Sequence, residues 1–173
     1  FFLFLSLYFL FKKQIIYSGL IFGLALSSKT MVLLALPFIV LLMASKEKKI
    51  KNIIGFFSVS IFGFLIINYP FLFDSSFQDM VFNNREQDKI FDLSISIGNS
   101  FLYFIPACLL LLLVRGTMIK VYNRDIFMMF LGFSFGIILL FINPSQGWYF
   151  WLIPFLTYFY AKSEDRSFLL LIL

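Results

Sequence analysis

The chain has 173 residues, with 14 Lys and Arg against 9 Asp and Glu and a formal charge of +5, yet only 13% of it is charged while 61% is hydrophobic. Soluble domains are about 45–50% apolar and about 25% charged, so this composition excludes a fold built around one core in water. The absence of His removes the commonest general base and metal ligand, and the lone Cys108 excludes a disulfide framework. The expected fold is all-α: a polytopic transmembrane helical bundle of about 6–8 membrane segments, forming a single domain over residues 1–173. The 27 Phe residues are what a compositionally biased genome produces and carry little functional weight.

Apolar runs between charge clusters mark spans at 1–11, 15–44, 53–69, 101–114, 126–142 and 148–161, with another beginning at 168. Both terminal runs fall short of the roughly 20 residues needed to cross a bilayer, so the chain is expected to be a piece of a longer protein. The run 15–44 is long for one crossing, because about 30 residues make about 45 Å of helix against a hydrocarbon core of about 30 Å. Ser27, Ser28, Lys29 and Thr30 stand at its middle, and the run reads as two short helices meeting at a polar bend. Lys and Arg near helix ends collect on the cytoplasmic side. With the bend in place, Lys12, Lys13, Lys46, Lys48, Lys49, Lys51, Arg115, Lys120, Arg124, Lys162 and Arg166 share one face, with Arg85 and Lys89 opposite and Lys29 at the bend. One long helix would instead move Lys12 and Lys13 across, weakening the asymmetry without reversing it. In both readings residues 71–99 form an extracytoplasmic loop, and the turn 143–147 lies on the same side. The expected place is a bacterial or archaeal cytoplasmic membrane, crossed several times.

The loop 71–99 is the one sizeable polar segment. Asp74, Ser75 or Ser76 is suited to cap a short helix with Asp79 in its first turn, where a carboxylate suits the dipole. Phe77, Met80 and Val81 would then share a face and lie apolar side down on the membrane. Asp74, Asp79 and Glu86 are the candidate acidic residues, with Asp88 and Asp92 further along the same loop. The chain carries no phosphate-binding glycine loop, metal-ligand cluster, internal repeat or nucleic-acid signature.

An ionisable residue inside an apolar run is costly and faces the protein interior or a water-filled cavity, which singles out Lys29. A position near the interface would let it snorkel to water instead. The segment Gly19-Leu20-Ile21-Phe22-Gly23-Leu24-Ala25-Leu26-Ser27-Ser28-Lys29, followed by leucines and Pro37, resembles the G-L-x-x-G-L-A-x-x-x-K pattern of membrane glycosyltransferases of the GT-C fold. The turn Ser145-Gln146-Gly147-Trp148-Tyr149-Phe150-Trp151, with Pro154 following, is similar to the S-Q-Y-F-x-W-x-x-x-P segment of dolichol-phosphate-mannose-dependent mannosyltransferases. It departs from that segment in the Gly147 and Trp148 placed between Gln146 and Tyr149, and in a shorter spacing after Phe150. The two motifs cover roughly a quarter of the chain.

The resemblance implies a polyprenyl-phosphate sugar as the donor substrate, no further cofactor, and chemistry on the extracytoplasmic side among membrane lipid. It implies donor-phosphate binding by Lys29, and a substrate pocket at Gln146, Trp148, Tyr149 and Trp151. It also implies a catalytic acidic residue in the first extracytoplasmic loop, upstream of this chain. Arg85 joins Lys29 as a donor-phosphate candidate, because it lies on the side where positive charge is disfavoured and an Arg fork grips phosphate in two bonds. An aromatic belt at the interface accounts equally for the rings of the turn, and an ion pair with Asp88 or Asp92 for Arg85.

Pro37, Pro70, Pro106 and Pro154 lie within or at the ends of apolar spans, where proline kinks a membrane helix. Pro70 is expected to end its helix, and Pro106 and Pro154 to open space for a lipid tail. Gly55, Gly63, Gly132 and Gly136 are expected to permit close helix contact. A polysaccharide polymerase or ligase, and a transporter or membrane scaffold without chemistry, share this general architecture.

Overall fold

The computed structural model describes residues 1–47, 50–81, 85–119, 121–142 and 146–163. In chain order these form α1 (Phe2–Phe11), α2 (Ile15–Ser28), a 3-10 segment (Thr30–Ala35) that runs into α3 (Leu36–Glu47), and α4 (Ile50–Asn68). The short α5 (Ser75–Val81) and α6 (Arg85–Asp88) follow, with a 3-10 turn (Lys89–Phe91) and a hairpin of β1 (Ser94–Ile97) and β2 (Ser100–Tyr103). Then come α7 (Phe104–Thr117), α8 (Arg124–Phe141), a 3-10 turn (Gln146–Trp151) and α9 (Ile153–Lys162).

The long apolar run breaks where its polar residues stand. Ser27 and Ser28 donate back to the carbonyls of Gly23 and Leu24, each at 3.0 Å, a pattern that weakens a helix at that point. Lys29 then takes extended backbone angles, φ −162° and ψ 123°, and the chain re-enters helix in the opposite sense. The direction follows from packing. Gly19 of α2 lies against Phe56 and Val59, Gly23 against Ser60, and Ser27 against Asn68, so α2 and α4 run parallel. The segment 30–47 between them therefore returns along the bundle, as the bend predicted.

Small residues make that parallel crossing close. A Cβ on Gly23 would stand 2.4 Å from the carbonyl oxygen of Ser60, and one on Gly63 2.9 Å from that of Leu20. In lipid, where apolar side chains gain little by leaving the solvent, such close backbone approach is a main source of helix association. α1 joins α2 through a reciprocal pair: Ser6 Oγ donates to the Ser18 carbonyl at 2.8 Å, and Ser18 Oγ to the Ser6 carbonyl at 2.9 Å. Phe22 and Phe56, both fully buried, meet at 5.4 Å between ring centroids.

Among the described residues two helices, Ile50–Asn68 and Arg124–Phe141, are long and apolar enough to cross a membrane. A core helix of a soluble protein would be mostly buried, yet only 17% of the apolar window of α4 is covered, and Ile54, Ile61, Phe62 and Ile66 face outward. The longer helices alternate in direction, and they sort the charges. Lys12, Lys13, Lys51, Arg115, Arg124 and Lys162 stand at one end of the bundle. Lys29 and Lys89 stand at the other, with α5, α6 and the hairpin.

Several expectations change. The helical fold includes one two-stranded hairpin, so the run at 101–114 begins as strand and turns helical only at Phe104. Its register pairs Ile97 with Ser100, and Gly98 supplies the φ of +60° that the first position of a type II′ turn requires. None of the four prolines kinks a helix interior. Pro37, Pro106 and Pro154 stand in the first turns of α3, α7 and α9, and Pro70 follows the end of α4. For Pro106 and Pro154 a missing N–H costs nothing, because the N–H groups of a first turn lack intrahelical partners, and Pro37 stands where the 3-10 segment passes into α3. A Cβ on Gly55 would meet nothing within 4 Å, so this glycine makes no close helix contact, whereas a Cβ on Gly132 would come within 3.2 Å of Phe155.

Candidate functional site

Lys29 is exposed, at the end of the bundle that carries the loop. Its Nζ lies 5.2 Å from the ring centroid of Trp148 and 5.9 Å from that of Trp151. Both indoles are fixed from behind. Trp148 is 7% exposed and packs with Met31, Ile105, Ile138 and Ile142, and Trp151 stacks on Phe135 at 5.3 Å. The break at Lys29 and the 3-10 turn before α9 thus come together, although they lie far apart in the chain. A cation over an aromatic face gains about 0.5–1 kcal/mol when exposed and about 2 when desolvated.

Ser28 and Lys29 line two cavities at once. One, of ≈ 710 Å³, opens toward α1 and α9 and is bounded by Tyr8, Phe150, Trp151 and Pro154. The other, of ≈ 300 Å³, opens toward α4 and the loop and carries the polar groups of Ser27, Thr30, Asn68 and Gln87. Asn68 Nδ2 donates to Ser27 Oγ at 2.7 Å, and Gln87 Nε2 donates to Thr30 Oγ1 at 2.8 Å. These two bonds tie α4 and the loop to either side of the lysine. From Thr30 and Gln87 a third space, of ≈ 470 Å³, runs down between α3 and α7 past Pro37, Pro106, Leu110 and Leu113.

The loop forms the expected short helix, with one difference. Asp74 caps α5 by accepting from the Phe77 N–H at 3.0 Å; Asp79 is the fifth residue of that helix, beyond its first turn. Phe77, Met80 and Val81 do share a face, and all three line the smaller cavity beside Lys29, with Met80 76% exposed. Phe71 stacks on Phe77 at 6.1 Å.

Of the residues singled out from sequence, the fold unites Lys29, Trp148 and Trp151. Tyr149 is 53% exposed and lines neither cavity at Lys29. The side chains of Arg85, Glu86 and Gln146 lie outside the described ones; Arg85 and Glu86 begin α6, whose Gln87 reaches Thr30. Among the described residues no carboxylate lines either cavity, and no cluster of His, Cys, Asp or Glu suited to a metal occurs. The described lining of the two cavities offers an ammonium, an indole face from each tryptophan and neutral hydrogen-bonding groups. Asn68 and Gln87 escaped the sequence reading. Asn68 carried a signal, as a polar side chain at the end of an apolar run just ahead of Pro70, while Gln87 sat among too many polar neighbours to stand out.

Compared with family models, with curated proteins and with solved structures, the chain matches none.

Proposed function

We propose that this chain belongs to an integral, multi-pass membrane glycosyltransferase of GT-C type. It moves a hexose from a polyprenyl-phosphate-linked donor to a lipid, glycan or protein acceptor on the extracytoplasmic side. The observation that carries the reading is the position of Lys29, against two indoles and between two cavities, at the end of the bundle poor in Lys and Arg. That charge distribution supports placing this end outside the cytoplasm.

In this reading the donor phosphate sits on Lys29. The ammonium stabilises the charge that builds on the leaving phosphate as the bond to the anomeric carbon breaks. Trp148 and Trp151 hold the exposed ammonium in place and offer faces to a sugar ring. The isoprenoid chain follows the apolar space between α3 and α7, which opens beside Thr30, and the acceptor enters through the larger cavity. A carboxylate that takes the acceptor proton is not assigned to any residue here. Arg85, at the start of α6, stands as a second phosphate ligand.

The break at Lys29 also supports a non-enzymatic reading, since transporters bind anions where a helix is interrupted. One experiment separates the two. Membranes containing the protein are supplied with radiolabelled polyprenyl-phosphate hexoses, and label entering an acceptor fraction is counted. Transfer that Lys29→Ala abolishes while the protein stays inserted is the expected result. Binding of the donor with no transfer of any hexose sinks the enzymatic reading and leaves the transporter.

A further inference from the structure

The end of the bundle opposite Lys29 holds a second charged assembly. Asn123 caps α8 by accepting from the Ile126 N–H at 2.8 Å, which sets Arg124 and Asp125 at the helix start. Asp125 is engaged by Lys162 and by the Tyr158 hydroxyl, both from α9. Arg124 takes another course. Its guanidinium carbon lies 4.6 Å from the Phe11 ring centroid and 5.7 Å from that of Tyr158, bridging α1 and α9 over their rings. Lys12 lies over Tyr8 in the same way, at 4.5 Å. A guanidinium stacked on rings keeps its N–H edges available for an anion.

Above Arg124 the helices α1 and α9 part, leaving a crevice of ≈ 550 Å³. Leu7, Tyr8 and Phe11 form one wall, Ile153 and Tyr158 the other, and Met128 the floor. Thr157 brings a hydroxyl, but it donates to its own helix at Ile153, 2.9 Å away. The stretch of α9 along the crevice, from Ile153 to Ala161, covers about 12 Å at 1.5 Å per residue. That is close to one leaflet's share of a hydrocarbon core of about 30 Å.

We propose that this crevice holds an anionic phospholipid of the leaflet on the Lys- and Arg-rich side. One acyl chain lies between α1 and α9, and the phosphate rests on Arg124 within the positive field of Lys12 and Lys13. A free phosphate gains nothing from the apolar walls, and a zwitterionic lipid leaves the excess positive charge unmatched. The site rests on the membrane-spanning part of the reading above and is independent of glycosyl transfer.

The test uses the purified protein, stripped of lipid in a neutral detergent, then titrated with phosphatidylglycerol or phosphatidylcholine. Native mass spectrometry counts retained lipid, and the unfolding midpoint is followed in parallel. One phosphatidylglycerol should be retained in preference to phosphatidylcholine and should raise the midpoint. Arg124→Gln should weaken retention roughly fivefold, the worth of one cation at an anionic surface. Thr157→Trp, which fills the crevice and leaves the charge unchanged, should abolish it, while Arg115→Gln at the same end should not alter it. Equal retention of the two lipids, equal losses in Arg124→Gln and Arg115→Gln, or displacement by inorganic phosphate would each overturn the site. Should Thr157→Trp fail to fold, the comparison of Arg124→Gln with Arg115→Gln decides. A protein that stays monodisperse without detergent removes the membrane reading itself, an outcome distinct from lipid bound without preference.

Discussion

The ammonium of Lys29 lies 5.2 Å from the ring centroid of Trp148, which joins the break between α2 and α3 to the turn that precedes α9. Because Trp148 is 7% exposed and walled in by Met31, Ile105 and Ile138, its ring holds the lysine rather than following it. Trp148→Leu should therefore raise the KM for a polyprenyl-phosphate donor about threefold, the equivalent of about 0.7 kcal/mol, which is within the range of an exposed cation–π contact. Trp148→Phe should lose less, because a ring face remains. Donor titrations of the three proteins check this, and equal KM values remove the indole from the site.

The two glycines of the α2–α4 region should respond with opposite sign. A methyl on Gly23 meets the Ser60 carbonyl at 2.4 Å and the Phe64 nitrogen at 2.8 Å. The backbones must separate to admit it, so Gly23→Ala should cost about 1–3 kcal/mol. Gly55 has open space around the same position, and Gly55→Ala should stabilise by about 0.5–1 kcal/mol through a less flexible unfolded chain. Unfolding midpoints in detergent measure both.

Ser6 and Ser18 exchange hydrogen bonds while fully buried. Removing one hydroxyl takes away one bond to the facing carbonyl and leaves the other serine with a partner fewer. Each single alanine variant should cost about 1 kcal/mol. The double variant should fall short of the sum by about 0.5 kcal/mol or more, the mark of groups in contact. Strict additivity in a double-mutant cycle contradicts a coupled pair.

Topology is open to direct labelling. In a Cys108→Ser background, cysteines placed at Ser28 and Asp92 should react with a membrane-impermeant maleimide from the same side, and one at Asn123 only from the other. The expectation follows from the parallel course of α2 and α4 and the return of residues 30–47 between them. Labelling of Ser28 and Asp92 positions from opposite sides dissolves the cavity between Lys29 and the loop.

Much of the helical framework is legible in the sequence. Apolar run lengths separate the helices, and charge clusters mark one end of the bundle. The run 15–44 is too long for one crossing, and Ser27 to Thr30 show where it breaks. Lys29 stands out because its ammonium has no apolar alternative. The start of α7 is misread because Phe101 to Tyr103 are as apolar as the helix that follows them, and strand and helix share that signal over so short a stretch.

Sequence alone thus determined the helical class, the break at Lys29 and the sorting of charge to one end, since each depends on composition and on the cost of placing an ion among apolar groups. Tertiary structure alone decided that α2 and α4 run parallel, that Trp148 and Trp151 rather than Tyr149 meet the lysine, and that Asn68 and Gln87 line the smaller cavity beside it. Helices apolar on nearly every side present no contrast between an inner and an outer face. Which side turns inward is then set by where glycine and serine let two backbones approach, a property of three-dimensional fit that hydropathy along the chain does not record.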